Sequence, residues 1–206
     1  MVKIEQFLVG NMDNFTYAII DETNRKSIIV DPSWDLEIIF DFLEKNGIEN
    51  TFIINTHSHF DHVLGNDQVV RRTGAKIIQH KSSPLKKDIG VNDGESIKFG
   101  ESEIKVIHTP GHSGDSICLI IDGKILLSGD TLFVGSCGRL DLPGSDPNEM
   151  YNSVYNKLIG LDGNLIVYPG HHYGSTKTST LGNEKSTNFV FKFHSRQEFL
   201  NFMDRQ

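Results

Sequence analysis

The sequence predicts an α/β chain in which mixed β-structure is covered by helices. Two observations carry this expectation. The first 55 residues read as strands, a helix and a strand again, and at four places an apolar run ends in a short turn that holds a histidine or an aspartate. A chain of 206 residues can bury a sizeable core in a single domain, 1–206, and 37% hydrophobic with 23% charged residues is ordinary globular composition. The net charge of -7, from 20 basic and 27 acidic residues, disfavours a polyanion-binding surface, so nucleic acid is not an expected partner. Met1 to Phe7 carries no secretory apolar region, and no run reaches the roughly 18 apolar residues of a membrane span, so a soluble, cytoplasmic protein with no membrane partner is expected. Cys118 and Cys137 are too few for a disulfide framework and read as small buried apolar residues.

Strands are expected over Lys3 to Val9, Phe15 to Asp21 and Ser27 to Asp31, with Phe15, Tyr17 and Ile19 on one face of the second. Polar Glu22 to Lys26 makes the last two a hairpin. Leu36, Ile39, Phe40 and Leu43 follow helical spacing, and Gly47 supplies a stop. The strand Thr51 to Asn55 follows. Asp67 to Thr73 reads as a short helix stopped by Gly74, and Ala75 to His80 as a strand. Lys81 to Asp93 is polar and irregular, a surface loop or a candidate lid over an active site. Ser96 to Phe99 and Glu103 to Ile107 form a second hairpin, and Ser116 to Ile121 and Lys124 to Ser128 a third, tightly turned at Asp122-Gly123. A long loop through Gly138 to Gly144 precedes a helix with Asp146 as N-cap, Pro147 at its first position and Glu149 completing a capping box. Val154, Tyr155 and Leu158 give that helix an apolar face, and Gly160 ends it. Leu165 to Tyr168 is a strand. From Lys177 the chain reads as polar, then aromatic, ending in a helix capped by Ser195.

The densest chemistry lies in Thr56-His57-Ser58-His59-Phe60-Asp61-His62, directly after an apolar strand. Three imidazoles and a carboxylate in six consecutive positions have no structural purpose, whereas imidazole nitrogen and carboxylate oxygen suit zinc, iron or manganese. Three other strand ends carry His112, Asp130 and His171. Strand ends on one edge of a sheet converge in space, so residues distant in sequence can share a site. Counting donors gives His57, His59 and His112 for one ion, Asp61, His62 and His171 for a second, and Asp130 between them. That set suits two divalent ions with a hydroxide between them. His80, His108, His172 and His194 read as ordinary surface or hydrogen-bonded histidines.

The pattern His57-x-His59-x-Asp61-His62, His112 after Thr109-Pro110-Gly111, Asp130 after Ser128-Gly129 and His171 after Pro169-Gly170 resembles the metallo-β-lactamase superfamily. The match implies an αββα sandwich, two mixed sheets face to face with helices outside and a metal site at one edge. Within that superfamily the chain looks most like the glyoxalase II group and the persulfide dioxygenases. Cys137-Gly138-Arg139 is similar to the Gly-Arg loop of both, and Ser179 to Lys185 to a segment of short prokaryotic members. Only 35 residues follow His171, so a single domain without the C-terminal helical domain that grips glutathione is expected. His172 stands where relatives commonly carry an acidic residue.

The resemblance implies a metal-dependent hydrolase of thioesters of the hydroxyacylglutathione type. Two divalent ions are expected, zinc foremost, with iron or manganese as alternatives. His57, His59, Asp61, His62, His112, Asp130 and His171 would be the ligands, Asp61 and Asp130 the catalytic carboxylates, and Arg139 a grip for an anionic substrate group or a structural loop residue. The rival expectation is a persulfide dioxygenase with one iron on His57, His112 and Asp130; a lactonase is a lesser alternative. A small thioester or thiol-derived molecule is the expected partner, and nothing in the sequence sets the oligomeric state.

Overall fold

The computed structural model describes residues 2–204. Strands β1 (Val2–Val9), β2 (Asn14–Asp21) and β3 (Lys26–Val30) form an antiparallel meander, and the chain then crosses through helix α1 (Leu36–Lys45) to β4 (Glu49–Ile54), parallel to β3. A single helical turn, α2 (Phe60–Val63), and α3 (Asn66–Thr73) lead to β5 (Lys76–His80) and β6 (Ile89–Val91), both added in parallel. The second sheet starts with β7 (Ser96–Phe99), β8 (Ser102–His108), β9 (Ile117–Ile121) and β10 (Ile125–Gly129), all antiparallel. After α4 (Pro147–Asn152), β11 (Ile166–Pro169) runs parallel to β10, and β12 (Ser179–Thr180) closes that edge ahead of α5 (Leu181–Thr187) and α6 (Arg196–Met203). The result is two six-stranded mixed sheets, β1 to β6 in sequence order and β12 to β7 in reverse order, with helices outside: the αββα sandwich.

Alternation along the strands builds three apolar layers. Phe15, Tyr17, Ile19, Ile28, Val30 and Ile54 of the first sheet meet Ile104, Val106, Ile117, Leu119 and Leu127 of the second. Their neighbours Ala18, Ile20, Ile29 and Ile53 point the other way, onto Leu36, Ile39, Phe40 and Leu43 of α1 and Val69 of α3. That is why β2 and β3 are buried along nearly their whole length. On the outer side of the second sheet Cys118, Leu126 and Val167 pack under Met150, Val154, Leu158, Leu181 and Phe199. Both cysteines are free, and burial pushes the Cys118 thiol up to about 11 and Cys137 up to about 12. Among the described residues no helix is long and apolar enough to cross a membrane.

Four expectations need correction. Lys81 to Asp93 is not irregular throughout: it contains β6, which pairs with β5, and Leu85 to Asp88 before it line a groove beside Val63 and Leu64. Glu149 does not complete a capping box: Asp146 caps the amides of Asn148 and Glu149, but its own N–H is taken by Gly111 O at 2.7 Å. The helix that begins there does not run evenly to Gly160, because a π-helical turn at Ser153–Lys157 and a 3₁₀ turn at Leu158–Gly160 follow α4. The stretch read as polar after Lys177 includes α5, whose buried Leu181 and Glu184 face inward.

The sheets are stitched together at one edge. Thr56 O accepts from Ile117 N (2.8 Å) and Gly170 O from Phe15 N (2.8 Å), while the Tyr17 hydroxyl donates to Pro169 O. Truncating a side chain between the sheets tests how far their docking sets stability. Leu119→Ala, at a fully buried position, is expected to cost about 2–5 kcal/mol, read as a lowered urea midpoint with an unchanged denaturant slope.

Candidate metal centre

All four donor-bearing strand ends meet at this stitched edge. The chain bends at His57 just beyond β4 and runs extended at His59, and the single turn α2 then swings Asp61 and His62 inward while Phe60 before them faces solvent. Bonds to its backbone hold that turn: Ser33 Oγ donates to Asp61 O (2.6 Å), Asn14 Nδ2 to Asp61 O (3.1 Å) and also to Asp61 Oδ2 (3.0 Å), and Asn55 Nδ2 to His62 O (2.9 Å). His112 follows β8, Asp130 follows β10 and His171 follows β11. The donor atoms of His57, His59 and His112 lie within 4.8 Å of one another, as do those of Asp61, His62 and His171. These are the two triads expected from the sequence. Each draws two donors from the loop after β4 and one from the second sheet.

Asp130 stands between the triads. Its Oδ2 is 3.5 Å from His112 Nε2 and 3.3 Å from His171 Nε2, and its Oδ1 is 3.4 Å from His62 Nε2. Asp61 Oδ2 lies 3.3 Å from His171 Nε2 and 3.4 Å from His62 Nε2. All of these residues are buried except His59, which is half-buried. His80 and His108 stack on each other, with centroids 3.8 Å apart, and His172 stacks on Phe15, so these rings serve other contacts as expected.

Hydrogen bonds fix which nitrogen each ring offers. His112 Nδ1–H donates to Arg139 O (2.9 Å), His171 Nδ1–H to Met12 O (2.8 Å), and His62 Nδ1–H to Asp31 Oδ2 (3.0 Å). The Thr56 hydroxyl gives its one proton to Asp31 Oδ2 at 2.6 Å, so toward His57 Nδ1, 3.1 Å away, it must accept. Four rings therefore hold a proton on Nδ1 and turn Nε2 to the centre. His59 instead brings Nδ1 to 3.1 Å from His57 Nε2.

The donor set fits divalent cations. His112 Nε2 and Asp130 Oδ1 are buried with no hydrogen-bond partner, and such orphans are rare unless something else satisfies them. His62 Nε2 and His171 Nε2 face each other at 3.1 Å, an arrangement of two lone pairs that only a cation or a proton relieves. The titration directions agree. Burial disfavours the charged form of His62, but the carboxylates of Asp130 and Asp31 prevail and raise its pKa well above the usual value. Burial also opposes protonation of His171, yet the hydrogen bonds its ring donates to the Asp130 and Asp61 carboxylates push it up to about 9. Burial likewise resists ionisation of Asp130 and Asp61, but the imidazoles of His62 and His171 hold both carboxyls well below their usual range. His57 behaves oppositely: burial, then the neighbouring His62, lower its pKa well below normal, and burial and His112 lower that of His59. The second triad attracts positive charge, whereas His57 and His59 of the first stay neutral and ready to coordinate.

Two glycines allow the close approach. A Cβ on Gly170 would overlap Asp130 Oδ1 and come within 3.1 Å of His62 Cε1. A Cβ on Gly138 would overlap Asp130 O and stand 2.8 Å from His112 Nδ1. Above the donors opens a cavity of about 540 Å³ walled by Met12, Phe60, Phe133, Leu142, Pro143 and Tyr173, with Arg139 on its rim. The Arg139 guanidinium is exposed and donates Nε and Nη2 to Asp141 at 2.9 and 2.6 Å, while its backbone oxygen orients His112.

Asp31 is the functional residue that sequence reading passes over. It sits at the end of β3, the same kind of position that identifies the other four donor sites, but its place before Pro32 makes it look like a turn residue. The apolar walls also escape sequence reading, because they come from four separate connections between strands.

Sandwich and donor cluster together define a metal-dependent enzyme built on two stacked mixed sheets. The family model of the metallo-beta-lactamase superfamily matches residues 11–83 and 78–171, and the chain belongs to that superfamily. It is 30% identical over 215 aligned positions to the hydroxyacylglutathione hydrolase of Dictyostelium discoideum, covering 99% of this chain and 76% of that protein. It is 29% identical over 202 positions to the probable polyketide biosynthesis zinc-dependent hydrolase BaeB of Bacillus velezensis (94% and 88% covered), and 28% identical over 211 positions to the mitochondrial persulfide dioxygenase ETHE1 of Mus musculus (98% and 81%). The crystal structure of ETHE1 from Myxococcus xanthus superposes with a TM-score of 0.92 at 27% identity, covering 98% of this chain and 90% of that one. By name these relatives divide between hydrolases and a dioxygenase.

Two outcomes test the reading of the centre. Asp31→Asn replaces an acceptor oxygen by an NH₂ group facing His62 and Thr56, and is expected to weaken metal binding about 10–100-fold in chelator competition while the far-ultraviolet dichroism stays unchanged. In the metal-free protein the raised pKa of His171 contributes stability that is complete below the unfolded value near 6.5 and lost as pH climbs through about 9. Unfolding free energy is therefore expected to fall between pH 6.5 and 9, by at most ~3 kcal/mol from His171 at about 1.4 kcal/mol per pH unit; chemical denaturation at the two pH values measures it.

Proposed function

We propose that the chain hydrolyses thioesters of small molecules with the help of two divalent ions, zinc foremost, held by His57, His59, His112 and by Asp61, His62, His171, with Asp130 shared. The observation that supports this most is the completeness of both triads around one carboxylate: Asp130 approaches His112 of one and His62 and His171 of the other within 3.5 Å. Divalent ions held there would bring the pKa of a water toward neutrality and polarise the thioester carbonyl.

The chain's own groups do the rest. Asp130 is placed to accept a hydrogen bond from the attacking water and so to orient it, and Asp61 Oδ2 lies beside it on the second triad. Water adds to the acyl carbon, the carbon–sulfur bond breaks, and its electron pair leaves with sulfur. The products are a carboxylate, a thiol and one proton released to solvent. A free thiol has a pKa of about 8.5, so the leaving group needs no strong general acid, in keeping with a cavity whose walls are apolar. Phe60, Phe133 and Tyr173 screen the reacting atoms from bulk water, which strengthens every charge interaction beneath them.

A second reading, oxidation of a persulfide at one iron held by His57, His112 and Asp130, draws support from the likeness to the two ETHE1 proteins. Metal content and oxygen use separate the two. Elemental analysis of metal-replete protein is expected to return two ions per chain, with turnover of S-acyl thiols and no oxygen uptake on a persulfide. His62→Ala is expected to return one ion and to lower kcat/KM by roughly 100-fold or more. One iron per chain with oxygen consumption and no thioester cleavage would sink the hydrolase reading.

A further inference from the structure

The cavity above the donors carries more information than its presence. Six apolar or aromatic residues wall it, and two of them, Phe60 at 62% and Tyr173 at 54%, are among the most exposed large apolar side chains described. Exposed aromatic surface gathered at a concave site marks a place where an apolar ligand replaces water. The tilts agree with a formed wall: Phe133 packs edge-on against both His171 (5.7 Å) and Tyr173 (5.4 Å), Tyr173 stacks on His171 (4.6 Å), and Trp34 supports Phe60 edge-on (6.3 Å).

Charge is scarce there. Arg139 is the one arginine or lysine lining the cavity, and its Nε–Nη2 edge is engaged by Asp141. The two residues are exposed and two positions apart, an arrangement that adds little to stability but cancels the charge a substrate would meet. A carboxylate entering between these apolar side chains meets, above the donor cluster, only a guanidinium whose bidentate Nε–Nη2 edge is already paired, and it loses its water against aromatic surface. Glutathione carries two carboxylates, an ammonium and two peptide groups on its thiol arm.

We propose, resting on the thioesterase reading above, that this site takes thioesters whose acyl and thiol arms are both uncharged and largely apolar, and discriminates against glutathione thioesters, because the wall is apolar and Asp141 holds the bidentate edge of the one guanidinium that lines it. Specificity is then a matter of what the cavity fails to pair, not of a dedicated anion site.

The test uses the metal-loaded 206-residue chain with hexanoyl thioesters of N-acetylcysteamine and of glutathione, and the metal-free chain with the matching non-hydrolysable S-hexyl thioethers followed by calorimetry. The uncharged ester is expected to show a kcat/KM at least tenfold higher, mostly through KM, and the uncharged thioether to bind at least tenfold tighter. Asp141→Asn, which releases the Arg139 edge, is expected to narrow both ratios. A glutathione compound that is handled as well or better overturns the proposal, and so do ratios that do not move in the variant. Failure of the underlying reading looks different: neither ester turns over while the ranking of the thioethers persists.

Discussion

The Asp31 carboxylate is the contact on which the centre depends. A cluster of imidazoles coordinates only if each ring turns its lone pair inward, and a ring is held that way by what its other nitrogen donates to. Asp31 Oδ2 takes the proton of His62 directly and that of Thr56, and Thr56 in turn can only accept from His57. One oxygen thus sets the tautomer of two rings, one in each triad. The other Asp31 oxygen accepts from Thr56 N at 2.7 Å, which fixes the start of the loop that carries His57 to His62. The residue adopts a left-handed backbone, φ 51°, a conformation that aspartate tolerates better than most side chains and that turns the chain sharply at the strand end.

Three carboxylates, Asp31, Asp61 and Asp130, are buried here, and no lysine or arginine is among their hydrogen-bond partners. Buried carboxylates without counter-charge are costly, so the cluster must draw in positive charge from somewhere. In the metal-free protein protons on His62 and His171 supply it. The same property makes the cluster a cation trap whose two halves differ: the half near His57 and His59 is already deprotonated, and the half near His62 and His171 must give up protons first.

Much of this was legible in the sequence, for reasons that differ by element. Helix α1 and strands β2 and β3 were readable because apolar periodicity is a local property and their outer faces meet helices. The seven donor positions were readable because strand ends converge whatever the loop details. Strand β6 was hidden: Ile89, Gly90 and Val91 are too few to show alternation, and only pairing with β5 makes them a strand. Helix α5 was hidden by a polar surface that masks Leu181 and the buried Glu184, whose carboxylate accepts from Gly135 N at 2.8 Å. The π-helical turn at Ser153–Lys157 arises from tertiary fit, with Ser153 Oγ donating to Pro110 O at 2.6 Å, and has no signature in the residues themselves. The cavity walls belong to no motif, since they are defined only once the loops are folded together.

Each triad takes two donors from the loop after β4 and its third from the other sheet, His112 in one case and His171 in the other. An ion bound in either triad therefore recognises the docked pair of sheets and has no comparable site when they separate. By mass action it stabilises the sandwich in proportion to its own affinity and free concentration, as a ligand shared by two halves of one interface. Occupancy and cohesion of the two sheets are then a single linked equilibrium: a substitution deep between the sheets loosens the ion, and withdrawal of the ion loosens the sheets, although neither touches the other.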